Sequence, residues 1–132
     1  MSPVLDFLIG RYRAILFALE GWQFVLRHER NAWVHALASI CVSFLGLWLG
    51  ISRTEWLVLI IMVTLVWLAE FLNTAIEAIV DLASPGHHPL AKIGKDVGAA
   101  AVLVAASSSI LVGIIIFGPP ALEKIKTLIE VK

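Results

Sequence analysis

Residues 97–118 run for 22 positions without a charge, and only Ser107, Ser108 and Ser109 carry polar side chains. A helix of that length extends roughly 33 Å at about 1.5 Å per residue. That is enough to cross a hydrocarbon core of about 30 Å. Gly118-Pro119-Pro120 predicts its end, because proline lacks the N–H that continues the ladder. Gly98, Ala99, Ala100, Ala101, Ala105 and Ala106 make its first half small-sided, which lets helix backbones approach closely. The run therefore reads as one member of a membrane helix bundle. Composition agrees: the 132 residues are 60% hydrophobic and 15% charged, with a mean hydropathy of +0.93. Soluble domains carry about 25% charged residues.

Two further runs complete an all-α membrane fold of one domain. Residues 32–50 form an apolar stretch with Trp33 and Trp48 near its ends, where interfacial aromatics belong, and with His35 one turn inside. It starts about thirty residues in, with no A-x-A-like site after it, so it reads as a span and not as a cleaved signal. Residues 56–69 are too short to span alone. They span if the helix continues to residue 81, which carries Glu70 to membrane depth. Before the first span, residues 3–30 read as an amphipathic surface helix. Asp6, Arg13, Glu20, Gln23, Arg27 and Arg30 share an arc of about 120°, with Leu8, Ile15, Leu19, Trp22 and Leu26 on much of the remainder. Glu29 falls about 180° from Glu20, on the apolar side. Residues 82–96 form a polar connection and residues 119–132 a tail.

Charge placement sets orientation by a narrow margin. Arg11, Arg13, Arg27, Arg30, Lys92 and Lys95 lie on one side, and Arg53, Lys124, Lys126 and Lys132 on the other. The positive-inside rule then places the N-terminus inside. Formal net charge is zero, so a nucleic-acid partner has no basic surplus to hold phosphates. The single cysteine, Cys41, excludes an internal disulfide and a cysteine-based metal site.

The chemistry lies on the second span. Glu70 falls about 21 Å from the helix start at Trp56. Glu70, Asn73, Glu77 and Asp81 share an arc of about 80°, a polar stripe climbing from the inner surface into the lipid zone. Snorkelling at a helix end suits Asp81, and Glu77 in part. It suits Glu70 poorly, because the side chain is short and its neighbours are apolar. Carboxylates with an Asn make a hard-oxygen site suited to Mg²⁺. The connection that follows carries Pro85-Gly86, His87, His88, Lys92 and Lys95-Asp96. Two histidines without partners make a poor zinc site, whereas contact with a polar ligand suits the loop. Lys95 either balances carboxylates or binds phosphate as a point charge. Gly94-Lys95 is not a P-loop: Pro89 and Asp96 stand where that motif needs glycine and Ser/Thr.

Glu70-Phe71-Leu72-Asn73-Thr74-Ala75-Ile76-Glu77-Ala78-Ile79-Val80-Asp81 resembles the signature of the prokaryotic diacylglycerol kinase family, E-x-aliphatic-N-[ST]-A-aliphatic-E-x-x-aliphatic-D. Lys95-Asp96, then Gly98-Ala99-Ala100-Ala101-Val102-Leu103, resembles its second block. The resemblance covers residues 15–118. Glu29-Arg30-Asn31 with His35, and Val80-Asp81-Leu82-Ala83-Ser84, look more like the undecaprenol kinase branch. Gly10, Ala99 and Glu20 depart from residues found in some members.

The resemblance implies a surface helix and three spanning helices, assembled as a homotrimer with active sites between subunits in the bacterial cell membrane. It implies transfer of the γ-phosphate of MgATP to the hydroxyl of a membrane lipid alcohol, diacylglycerol or undecaprenol, at the cytosolic interface. Glu70 falls on the catalytic base and Asn73 on the active-site asparagine. Glu29 and Glu77 fall on the carboxylates that bind Mg²⁺ and ATP. Lys95 and Asp96 match nucleotide-binding positions, as more loosely do His87 and His88. The competing reading is a non-enzymatic helix bundle with the acidic stripe as a cation path, a channel or transporter.

Overall fold

The computed structural model describes residues 2–130. Met1, Val131 and Lys132, the last counted above among the tail cations, lie outside the described residues. Four helices follow in chain order: α1 (Pro3–His28), α2 (Arg30–Leu49), α3 (Arg53–Ala83) and α4 (Pro89–Glu130). The last three are long and apolar enough to cross a membrane. The described residues contain no strand.

Each boundary has a local cause. α1 starts with Pro3 at a position that needs no N–H, and Ser2 Oγ accepts from the Leu5 N–H at 3.4 Å. It stops at Glu29, whose extended backbone (φ −97°, ψ 116°) separates α1 from α2. Glu29 is the N-cap of α2, yet its side chain makes no capping hydrogen bond, so its carboxylate is not consumed by the helix end. α2 ends at Gly50 in the left-handed region (φ 69°), with the Gly50 N–H on the Gly46 carbonyl. α3 starts with a capping box in which Ser52 Oγ accepts the Glu55 N–H at 3.3 Å and Glu55 Oε2 accepts the Ser52 N–H at 2.7 Å.

The main apolar cluster joins the three long helices at the end away from Glu77 and Asp81: Leu59, Ile116 and Phe117 are buried, with Val42, Leu45, Trp56 and Val112 around them. Gly46 lets α2 approach this corner, since a Cβ there would meet the Trp56 ring at 2.9 Å. Many other large apolar side chains, among them Phe44, Leu47, Ile114 and Ile115, are exposed. In water that surface would be untenable, whereas lipid or a second helix bundle covers it naturally.

Two segments differ from the sequence expectation. The polar connection over residues 82–96 shrinks to residues 84–88, because α3 runs on to Ala83 and α4 begins at Pro89. His88 makes the early start possible. Its carbonyl accepts the Lys92 N–H and its Nδ1 the Leu90 N–H, both at 3.2 Å. Lys92, Lys95 and Asp96 therefore sit on the first turns of a helix, not on a loop. The second difference is the tail, since α4 continues through Pro119 and Pro120 to Glu130. The two prolines deprive the Ile115 and Ile116 carbonyls of helical donors, but their fixed φ is itself helical. Lys124 holds the extension from outside: Nζ donates to the Trp48 carbonyl at 2.5 Å and lies 4.5 Å from the centroid of the Trp48 ring.

Candidate active site

The polar stripe on α3 is graded by depth. Glu70 is 1% exposed, Asn73 and Thr74 are buried, Glu77 is half-buried and Asp81 is exposed. Thr74 Oγ1 donates back to the Glu70 carbonyl at 3.0 Å. Asn73 Nδ2 donates to Glu77 Oε1 at 2.9 Å, so the two share one face as their spacing requires. From α4, Gly98 packs against Asn73. α3 and α4 make the most extensive helix–helix contact of the fold, and this close approach is part of it.

α2 supplies the facing wall. His35 Nε2 lies 3.6 Å from Glu70 Oε2, just beyond hydrogen-bond range. Both atoms are buried, and neither has a hydrogen-bond partner among the described residues; the same holds for Asn73 Oδ1. One turn further along, Trp67 Nε1 donates to Ser39 Oγ at 3.2 Å, and Ser39 Oγ donates to the His35 carbonyl at 2.7 Å. That chain fixes the register of α2 against α3 next to Glu70. Ala32, one turn on the other side of His35, is fully buried and lets the helices meet. α1 closes over the same region: the Trp22 ring packs against Trp67 and Phe71 at centroid distances of 4.7 and 4.6 Å. An apolar groove of about 470 Å³ runs away from His35 and Ser39 between α2, α3 and α4, past Val66, Ile110 and Phe117.

The residues expected at the site fall into two groups. Glu29 and Glu77 both act on the charge of Glu70, with Asn73 bonded to Glu77. His87, His88, Lys95 and Asp96 gather instead around a recess of about 730 Å³ at the junction of α3 and α4, together with Asp81 and Lys92. There Lys95 Nζ pairs with Asp81 Oδ1 at 2.6 Å, and Lys92 Nζ with Asp96 Oδ2 at 2.5 Å. Asp81 is one turn beyond Glu77 on α3, so the recess opens directly below the acidic group. Sequence reasoning assigns no role to His35, Ser39 or Trp67, and gives Gly98 only its place among the small residues that let helices approach. The available signal was His35 and Ser39 four residues apart, which puts two polar groups on one face of an apolar helix.

Glu29 and Glu77 each repel the buried Glu70 carboxylate, and a cation relieves that repulsion. Among the described residues, no three His, Cys, Asp or Glu side chains form a metal cage. Mg²⁺ does not need one: it is commonly held by one or two carboxylates and completed by substrate phosphates and water. The uncommitted Glu29 carboxylate and the half-buried Glu77 offer hard-oxygen donors of that open kind.

Comparison with known proteins gives the geometry a context. Residues 16–117 match the model of the family described as prokaryotic diacylglycerol kinase. The chain is 39% identical over 108 residues to the undecaprenol kinase of Bacillus subtilis (strain 168), covering 82% of this chain and 88% of that protein. It is 36% identical over 108 residues to the diacylglycerol kinase of a Synechocystis species, covering 81% of this chain and 62% of that protein. The diacylglycerol kinase of Escherichia coli (strain K12) is 36% identical over 83 residues, covering 58% of this chain and 68% of that protein.

Proposed function

The chain belongs to the prokaryotic diacylglycerol kinase family and is an alcohol phosphotransferase, and from that premise we propose that it transfers the γ-phosphate of MgATP to the hydroxyl of a membrane lipid alcohol, diacylglycerol or undecaprenol. The observation that carries this reading is Glu70. A carboxyl group that is 1% exposed, at membrane depth and with an unpartnered oxygen, is costly to keep for packing alone. A general base needs a carboxylate not already engaged in a salt bridge or helix cap, within reach of the substrate proton.

Glu70 accepts the proton of the attacking lipid hydroxyl. Its depth suits a substrate whose chain stays in the bilayer, and the apolar groove leading away from His35 gives such a chain a place to lie. Asn73 orients Glu77 through their hydrogen bond. Glu29 and Glu77 are the residues that would hold Mg²⁺, which neutralises the charge of the β- and γ-phosphates when bound. Lys95, Asp96, His87 and His88 line the recess below and bind the nucleotide, with Lys95 exchanging its partner Asp81 for phosphate. The assembly is a homotrimer in the bacterial cell membrane, with the N-terminus and the active site cytosolic. The open flank of Asn73, where Leu65, Leu72, Gly98, Ala101 and Ala105 line an apolar recess, is a face that a second copy covers. A passive cation path accounts for the acidic stripe but not for the kinase relatives.

The test is a panel of diacylglycerol, undecaprenol and ceramide offered with radiolabelled ATP to the purified protein in detergent. Label transferred to one of the lipid alcohols, and lost on Mg²⁺ chelation, is the expected result. ATP consumption that is indifferent to all three lipids would remove lipid alcohols as the acceptor.

A further inference from the structure

His35 and Glu70 face each other from different helices, each with a buried atom that satisfies nothing else. The large majority of buried side-chain polar atoms in folded proteins have a hydrogen-bond partner. A histidine placed only to pack α2 against α3 would be expected to find one. Here His35 Nε2 and Glu70 Oε2 are both without a partner and 3.6 Å apart. A small closing movement satisfies both at once. Catalytic hydrogen bonds in ligand-free enzymes are often long and tighten only in the working complex.

The surroundings hold the pair in that relation. Trp67 is three residues before Glu70 on α3, and Ser39 four residues after His35 on α2, so the Trp67–Ser39 hydrogen bond clasps the two helices one turn from the pair. The Ser39 hydroxyl also ties to the His35 carbonyl. The Trp67 ring stands edge-on to the imidazole, with centroids 6.3 Å apart. Helix positions fixed in this way set an angle for the carboxylate as well as a distance.

We infer that His35 is a positioning residue for Glu70: its Nε2–H hydrogen-bonds one carboxylate oxygen in the substrate complex and turns the other toward the lipid hydroxyl. This rests on the reading of Glu70 as the base. His35 touches neither phosphate nor metal in this assignment and acts only through Glu70. Its loss therefore falls on the rate of transfer and not on nucleotide binding.

The experiment measures kcat and the KM for MgATP of the full-length protein in detergent with a saturating lipid alcohol. The variants are His35→Leu, His35→Gln, His35→Asn, Glu70→Gln and the double variant His35→Leu/Glu70→Gln. A glutamine amide nitrogen reaches the place of Nε2, whereas that of asparagine reaches only as far as Nδ1. His35→Leu is expected to lose about tenfold or more in kcat, since a misplacement near 1 Å is worth up to about 10²-fold. Its KM for MgATP should stay within about twofold of wild type. His35→Gln should recover most of the rate and His35→Asn should not. Adding His35→Leu to Glu70→Gln should cost nothing further. Wild-type kcat in His35→Leu would overturn the inference, as would equal rates in the Gln and Asn variants. If His35→Leu fails to assemble, the Gln–Asn comparison decides alone. Near-normal turnover in Glu70→Gln is a different failure: it removes the base itself.

Discussion

Gly98 lies against Asn73 with no room for a side chain: a Cβ at position 98 would sit 2.4 Å from Asn73 Oδ1 and 3.5 Å from its Cγ. The nearest obstacle is the end of a side chain, and the Asn73 Cα is 3.8 Å away. The backbones can therefore stay in place while the amide moves. Movement of the amide breaks its hydrogen bond to Glu77.

Gly98→Ala is thus expected to separate activity from stability. In a helix interior, alanine is favoured over glycine by about 1 kcal/mol. That gain offsets the cost of displacing Asn73, so the thermal midpoint in detergent should change little. Transfer rate should fall about tenfold, as expected for a misplaced group in the site. Full activity with an unchanged midpoint would show that the Asn73–Glu77 contact does not matter for turnover.

Trp67 and Ser39 make a second measurable unit. Ser39→Ala leaves the Trp67 indole N–H without its acceptor, and Trp67→Phe leaves Ser39 without its donor. Interhelical hydrogen bonds in membrane proteins average about 0.6 kcal/mol, so each change should lower stability modestly. If the clasp sets the register of His35 against Glu70, both changes should slow transfer several-fold while the KM for MgATP holds. The double variant should be little worse than either single one. Additive losses would mean that the two residues act separately.

The acidic group above the recess predicts a metal phenotype. Glu29→Gln and Glu77→Gln each remove one charge while keeping shape. Both should slow transfer and raise the Mg²⁺ concentration needed for half-maximal rate. Glu77→Gln should show the additional effect of weakening the tie to Asn73. Wild-type Mg²⁺ dependence in both variants would remove the two carboxylates from the metal site. Glu70→Gln is the control in this titration, because its Mg²⁺ requirement should stay normal.

Much of this arrangement was legible in the sequence, and the parts that were not have physical reasons. Two of the three long helices follow from apolar run length, and the third from carrying the run of residues 56–69 on through Glu70 to residue 81. The stripe of Glu70, Asn73, Glu77 and Asp81 follows from helical periodicity, and the structure adds a gradient of burial along it, from Glu70 buried to Asp81 exposed. The extent of the 82–96 connection was misread because charge was taken for loop. Lys92, Lys95 and Asp96 lie on the exposed or half-exposed first turns of α4, which His88 caps. The helix through Pro119-Pro120 was missed because a proline rule is local, while Lys124 and Trp48 meet across 76 positions. His35 illustrates the same limit. Its partner Glu70 is 35 positions away, and only the docking of α2 on α3 brings them together.

Glu70→Gln is the decisive substitution. The amide keeps the size of the side chain, removes its capacity to accept a proton from the lipid hydroxyl, and leaves Glu29 and Glu77 in place. General-base catalysis contributes about 10²–10⁴-fold, so turnover should fall by that order. MgATP affinity, measured by equilibrium binding in the same detergent, should hold. Stability should not fall, because an uncharged amide is less costly to bury at membrane depth than a carboxylate. The amide also offers His35 an oxygen, so helix docking has no reason to change. Collapse of turnover and MgATP affinity together would assign Glu70 to the metal instead. Near-normal turnover would make Glu70 structural and move the search for the base to Asp96, the carboxylate paired with Lys92 at the recess. Only loss of transfer with nucleotide binding intact supports the role assigned to Glu70.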